Sequence, residues 1–107
     1  MSNGRLGAVD LAATTNTTVY AGPASGKVGT VTVSLCNRNS TPVRIRLALA
    51  TSSSPGAAEW VWYDKLIPGN ESIERTGMAV DNGKQVVAYS DVANVSVVAY
   101  GFEEVSS

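Results

Sequence analysis

The feature that most restricts the fold of this chain is an alternation of apolar and polar side chains with a period of two. In residues 28–36, Val31, Val33 and Leu35 are separated by Thr and Ser, and residues 43–49 alternate aliphatic side chains with Arg and Ala. Successive side chains of a β-strand point to opposite faces, so this pattern is typical of strands with one buried face. No window of about eleven residues carries a helical apolar stripe, and the sequence therefore predicts an all-β protein.

Residues that favour turns separate these patterns at intervals of about ten residues. Residues 37–42 contain Asn, which tolerates positive φ, and Pro, which fixes φ; they predict the loop of a central hairpin spanning residues 28–50. Residues 90–93 predict a second loop, which pairs the last two strands. Pro68-Gly69-Asn70 and Asp81-Asn82-Gly83 predict tight turns.

The length of 107 residues fits a single domain, residues 1–107. Seven or eight short strands at this spacing favour an antiparallel two-sheet sandwich. Residues 1–12 are expected to form a flexible N-terminal arm and residues 103–107 a flexible C-terminal tail. Residues 77–80 either continue the sixth strand or bend it. The predicted strands, of which the first two are the weakest, are residues 6–11, 17–21, 28–36, 43–49, 59–67, 72–76, 84–89 and 94–102.

The charge of the chain excludes several classes of partner. The formal net charge is −1, so there is no basic excess to bind nucleic acid or an anionic membrane surface. Charged residues make up 16% of the chain, below the roughly 25% typical of soluble domains. This predicts a surface coated with Ser and Thr and partly covered by another protein. The N-terminus lacks a signal-peptide layout and no apolar run approaches ~20 residues, so we expect synthesis in a cytoplasm.

The sequence offers little for catalysis. There is no His, which removes the usual triads and the commonest general base. The single Cys36 can form no internal disulfide, and its place in an apolar strand pattern predicts a small hydrophobic residue of the core or of an interface. Asp81 and Asn82 are better explained by a turn than by a calcium site. We therefore expect no enzyme activity, no cofactor and no metal.

An aromatic segment supplies the first candidate site residues. Trp60 and Trp62 are two positions apart, so a regular strand places them on one face, with Tyr63 beside them. Three interpretations remain open at this stage: the Trp side chains belong to the core, form a protein-binding hot spot, or stack a sugar ring.

Arg44 and Arg46 are the second pair of candidates. They share the face of their strand opposite the aliphatic one. Either they are solvated and paired with Glu74 or Glu103, or they dock onto another protein, since Arg is enriched at interfaces.

Three segments resemble small virion structural proteins of tailed bacteriophages. They are VTVSLCNRNSTPVRIRLA at residues 31–48, IERTG at residues 73–77 and VAYGFEE at residues 98–104. The resemblance covers roughly residues 5–104. It implies a β-sandwich accessory of the particle on the capsid shell, the neck, or the tail and baseplate, and it carries no catalytic residue.

The resemblance and the composition together lead to three hypotheses. The first is a capsid decoration or cement protein, an oligomer that binds the major capsid protein in the virion after synthesis in the bacterial host cytoplasm. The second is a structural component of the tail, baseplate, neck or fibre. The third is a host-surface glycan-binding module that uses the Trp face and the polar loop of residues 51–58.

Overall fold

The computed structural model describes residues 3–23 and 25–105, and the described residues form strands, turns and loops without a helix. The predicted all-β class is confirmed, and each predicted strand has a counterpart. The strands are β1 Asn3–Leu11, β2 Thr17–Tyr20, β3 Lys27–Asn37, β4 Val43–Ala50, β5 Trp60–Ile67, β6 Ser72–Asp81, β7 Gln85–Ser90 and β8 Val95–Val105.

The strands form two antiparallel four-stranded sheets. Sheet A has the order β1-β8-β3-β6, and sheet B has the order β2-β7-β4-β5. Strand β1 pairs with β8, β2 with β7, β3 with β6 and β4 with β5. The chain is therefore one long antiparallel hairpin that is rolled up on itself, which is the strand order of a jelly roll.

Both predicted hairpins are wrong. Strands β3 and β4 lie in different sheets, and so do β7 and β8. Residues 37–42 and 90–93 are corners at which the chain crosses between sheets. Turn chemistry indicates where a chain reverses, but it does not determine which strand the next segment pairs with.

The interior lies between the sheets and follows the predicted alternation. Val31, Val33 and Leu35 of β3 are buried, while the even positions between them are half-buried on the outer face. The odd positions 43–47 of β4 are buried in the same way. Burying an aliphatic side chain of this size contributes roughly 1.5–3 kcal/mol, so these two central strands anchor the fold.

The expected arms are wrong over the described residues. Strand β1 pairs with β8 from Leu11, opposite Val95, to Asn3, opposite Phe102. Strand β8 continues to Val105, which lies opposite Lys27 of β3. The apolar alternation of β8 is that of a central strand, which needs a neighbour on each side, and β1 supplies one of them. Residues 1, 2, 106 and 107 lie outside the described residues.

A buried tyrosine links the two sheets near this end of β8. Tyr20 of β2 is 5% exposed, and its hydroxyl donates to the carboxylate of Glu103 at 2.5 Å. Its ring crosses over Gly29, where a Cβ would lie 2.6 Å from the Tyr20 hydroxyl. Burial, together with the hydrogen bond to Glu103, raises the pKa of Tyr20 above its usual value.

The corner after β3 is closed by the buried side chain of Asn37. Its Nδ2 donates to the carbonyl oxygens of Thr41 (2.9 Å), Ile67 (3.2 Å) and Pro68 (3.1 Å). Its Oδ1 accepts from the backbone N–H of Asn39 at 2.9 Å. One amide thereby joins the β3–β4 corner to the β5–β6 corner. The sequence predicts this residue only as part of a hairpin loop, and it does not adopt the positive φ that Asn tolerates in such loops.

The structure also decides two smaller predictions, one on Cys36 and one on residues 77–80. Cys36 is exposed on the outer face of sheet A, so the core alternative is wrong and the interface alternative stays a prediction. The neighbouring buried Leu35 already places Cys36 on the opposite face. Residues 77–80 both continue and bend β6, because the register against β3 shifts there and Gly77 has φ of 69°.

Candidate functional site: an aromatic–arginine cluster on sheet B

The arginines of β4 lie on the outer face of sheet B. The inward positions Val43, Ile45 and Leu47 are buried, whereas Arg44 is exposed and Arg46 is half-buried. The two arginines share one face, as the alternation predicts.

The neighbouring strand β5 is irregular. Leu47 lies opposite Trp62 and the next residue, Ala48, lies opposite Trp60, so Val61 is an extra residue in β5. Such a bulge reverses the face to which the following side chains point. The edge position of β5 in sheet B permits it, because only one of its sides is paired.

The bulge separates the two tryptophans. Trp60 packs on the outer face against Ala48, Ala50 and Val87, while Trp62 packs against the main core between the sheets. The predicted shared Trp face is therefore wrong. The core interpretation describes Trp62, and Trp60 remains available to a partner on the surface.

A second irregularity places a carboxylate beside Arg46. The register shifts again between Ile45 and Leu47, and Asp64 of β5 adopts φ of 54°. Its Oδ1 accepts from Nε of Arg46 at 2.7 Å. This hydrogen bond raises the pKa of Arg46 above its usual value and fixes the direction of the guanidinium.

The partners expected for the arginines are engaged elsewhere. Glu74 accepts from the hydroxyl of Tyr100 at 2.5 Å, and Glu103 accepts from Tyr20. The pairing of Arg46 with Asp64 therefore replaces the pairs predicted from sequence.

Three aromatic rings surround the Arg46 guanidinium. Its Cζ lies 4.1 Å from the ring centroid of Tyr63, 4.6 Å from that of Tyr89 and 6.0 Å from that of Trp60. The Trp60 and Tyr63 rings meet edge to face, with centroids 5.5 Å apart and an interplanar angle of 73°. We call Arg46, Trp60, Tyr63 and Tyr89 the aromatic–arginine cluster. Its cation–π contacts and its ion pair hold these surface side chains in one arrangement.

An open pocket of about 350 Å³ adjoins the cluster. Ala57, Trp60 and Tyr63 line it, and Tyr63 is 58% exposed. Ala57 belongs to the polar loop of residues 51–58. This loop is held by Glu59, whose carboxylate accepts from the backbone N–H of Gly56 at 2.7 Å.

The remaining candidates lie outside the cluster. Arg44 is exposed, and its backbone N–H donates to the carboxylate of Asp91 at 3.1 Å. Trp62 faces inward, with Nζ of Lys65 at 5.6 Å from its ring centroid.

Sequence reasoning missed Tyr89 and Asp64 as members of the site. Tyr89 lies directly opposite Arg46 in the pairing of β4 with β7. The signal for it was the matching alternation of β7. This alternation identifies Tyr89 as a neighbour of Arg46 only if β4 is known to pair with β7 rather than with β3.

The cluster combines three aromatic rings with one guanidinium. Within residues 3–23 and 25–105, no three His, Cys, Asp or Glu side chains come close enough to hold a metal ion. The same residues contain no helix that is long and apolar enough to cross a membrane. Aromatic rings and a guanidinium recognise flat apolar and polar surfaces together, which suits a protein or a sugar ring.

Comparison of the chain with protein-family models, with curated proteins and with solved structures found no match.

Proposed function

We propose that this chain is a non-enzymatic structural component of a bacteriophage virion, a capsid decoration or cement protein that binds the major capsid protein through the aromatic–arginine cluster. The phage assignment rests on the resemblance of residues 31–48, 73–77 and 98–104 to small virion proteins. The binding role rests on one structural observation, the surface cluster held in place around the half-buried Arg46.

The arrangement of the cluster supports protein binding. Trp, Tyr and Arg are the residue types that dominate binding hot spots. Side chains that are already ordered lose less conformational entropy when a partner covers them. The ion pair with Asp64 and the stacking of Tyr63 and Tyr89 order Arg46 before any partner arrives.

The experiment uses phage particles that lack this protein and particles that carry single variants. In the cement role, particles without the protein lose infectivity faster during heating and osmotic shock. We expect Arg46→Ala to reproduce that loss, and the exposed Arg75→Ala on β6 to behave as wild type. Equal survival of particles with and without the protein would exclude the cement role, and density at the tail or baseplate would establish the second hypothesis instead.

The pocket favours a second candidate function, recognition of a host-surface glycan. Sugar rings stack on exposed aromatic faces, and the Trp60 and Tyr63 rings, inclined at 73° to each other, form two walls of an open pocket. A glycan array distinguishes this function: selective binding that is lost in Tyr63→Ala supports it, and binding to no glycan removes it.

A further inference from the structure

The two sheets have four edge strands, and each of them carries a β-bulge. The pairing with the neighbouring strand shifts once in β1, β2 and β6, and it shifts twice in β5. The extra residue belongs to the edge strand every time. The pairings between central strands, β3 with β8 and β4 with β7, run one to one throughout. The irregularity of this sandwich is therefore confined to its edges.

One long side of the sandwich is closed. Strands β1 and β2 lie on this side, one in each sheet, and they pack against each other. At Gly7 of β1, a Cβ would collide with the carbonyl oxygen of Val19 in β2. An edge that is covered by another strand is poorly accessible to a further chain.

The opposite long side, between β5 and β6, is open. Over the part of the chain that the structure describes, these two strands make no contact comparable with that of β1 and β2. Each presents a row of unpaired backbone groups, and partly exposed apolar side chains such as Trp62 and Ile73 lie beside it. An exposed apolar edge of this kind is a template for strand addition unless the sequence prevents it.

Each of the two open edges carries a cation at an inward position. Lys65 of β5 lies opposite the buried Ile45. Arg75 of β6 lies opposite the buried Val33. Residues directly opposite each other in an antiparallel pair share a face, so both cations start toward the interior. Both are nevertheless exposed, so their long side chains leave the sandwich at the open side.

The bulges and the inward cations act together against an incoming strand. Asp64 of β5 and Gly77 of β6 adopt φ of 54° and 69°, which interrupts the regular row of backbone groups at both edges. An added strand would also have to cover Lys65 or Arg75. Covering an unpaired charge costs more than a backbone hydrogen bond contributes.

We propose that the edges of this sandwich reject strand addition, so that other chains, including further copies of this one, contact it through the side chains of its outer faces. The cover at β1 and β2 protects one side. The bulges and the inward cations protect the other. The proposal concerns the mode of contact and does not depend on the virion role.

The test makes the β6 edge regular and apolar. Deletion of Gly77 places Thr76 opposite Thr32 and keeps Met78 opposite Val31, and Arg75→Val removes the inward charge. Backbone hydrogen exchange of the full chain is measured at about 5 and about 200 μM, a range that brackets micromolar affinity. In wild type, the β5 and β6 amides should exchange equally fast at both concentrations. In the double variant, the β6 amides should exchange roughly tenfold more slowly at the higher concentration, because a second copy adds to the edge.

Arg44→Val is the matched control. It makes the same replacement at an exposed position of β4, whose backbone is paired on both sides, so exchange should not depend on concentration. Slower exchange of β5 or β6 amides in wild type at the higher concentration would overturn the proposal. A folded double variant that exchanges as wild type would do the same. If the deletion unfolds the chain, Arg75→Val with Lys65→Val removes both inward charges without altering the backbone, and the same two results decide. None of them bears on the particle-survival test of the virion role.

Discussion

Removal of the Asn37 amide should destabilise the protein far more than its size suggests. Asn37→Ala leaves the carbonyl oxygens of Thr41, Ile67 and Pro68 without their shared donor, and it removes the acceptor of the Asn39 N–H. The three carbonyl oxygens share the two N–H bonds of one amide, so with the Asn39 N–H about three hydrogen bonds are lost, and at about 1 kcal/mol each the loss is about 3 kcal/mol. This is a substantial part of the roughly 5–15 kcal/mol that stabilises a small domain.

The assay is urea unfolding followed by the fluorescence of Trp60 and Trp62. The midpoint should fall with an unchanged slope, and Tm should fall by roughly 15 °C. Asn16→Ala, at an exposed loop position, is the matched control and should remain within about 0.5 kcal/mol of wild type. A loss below 1 kcal/mol in Asn37→Ala would refute the role of this amide in joining the corners.

Asn37→Asp tests the donor role of the side chain. The carboxylate has no N–H groups, and it would face three carbonyl oxygens in a buried site. Its folded-state pKa should therefore rise above the unfolded value of about 3.9. A raised pKa contributes stability that is present at low pH and lost as the pH rises. We expect Asn37→Asp to be less stable than Asn37→Ala at pH 7 and to approach it near pH 4; the same difference at both pH values would contradict this reasoning.

Three further predictions concern the rest of the sandwich. The pKa of Tyr20 is raised in the folded protein, so the stability that Tyr20 contributes is present below its unfolded pKa of about 10 and is lost as the pH rises. In melting experiments at increasing pH, Tyr20→Phe should therefore lose less stability at alkaline pH than wild type. Gly22→Ala should cost more than 2 kcal/mol in urea unfolding, since a Cβ there would lie 2.1 Å from a backbone oxygen; Gly26→Ala, with a similar φ and open space, should cost about 1 kcal/mol. Val33→Asp should unfold the protein, whereas Thr32→Asp should leave circular dichroism unchanged; the reverse would shift the β3 register by one residue.

The fold class could be predicted because its signal is local. Alternation along β3 and β4 identified the inward residues, such as Val33 and Ile45, without knowledge of the neighbouring strands. Pairing could not be predicted in the same way, because the partners of β3 are β6 and β8, far along the chain. The same limitation made β1 look like an arm, since its pattern is weak and its pairing with β8 joins the two ends of the sequence.

The sequence predicts only part of the candidate site, because the site also depends on which strands pair and in which register. Arg46, Trp60 and Tyr63 come together as neighbours on paired strands. Trp62 does not, because the bulge at Val61 shifts the alternation by one, and no sequence signal marks that insertion. Tyr89 joins the site only through the pairing of β4 with β7.

The central claim is that the aromatic–arginine cluster binds another virion protein, and the most direct measurement is the binding of purified protein to phage particles that lack it. We predict saturable binding at a fixed number of copies per particle. We expect Tyr63→Ala, whose side chain is 58% exposed and so should leave folding intact, to weaken this binding roughly 30-fold, as expected when a hot-spot residue is truncated. Absence of saturable binding by the folded wild type, or equal binding by wild type and Tyr63→Ala, would contradict the claim.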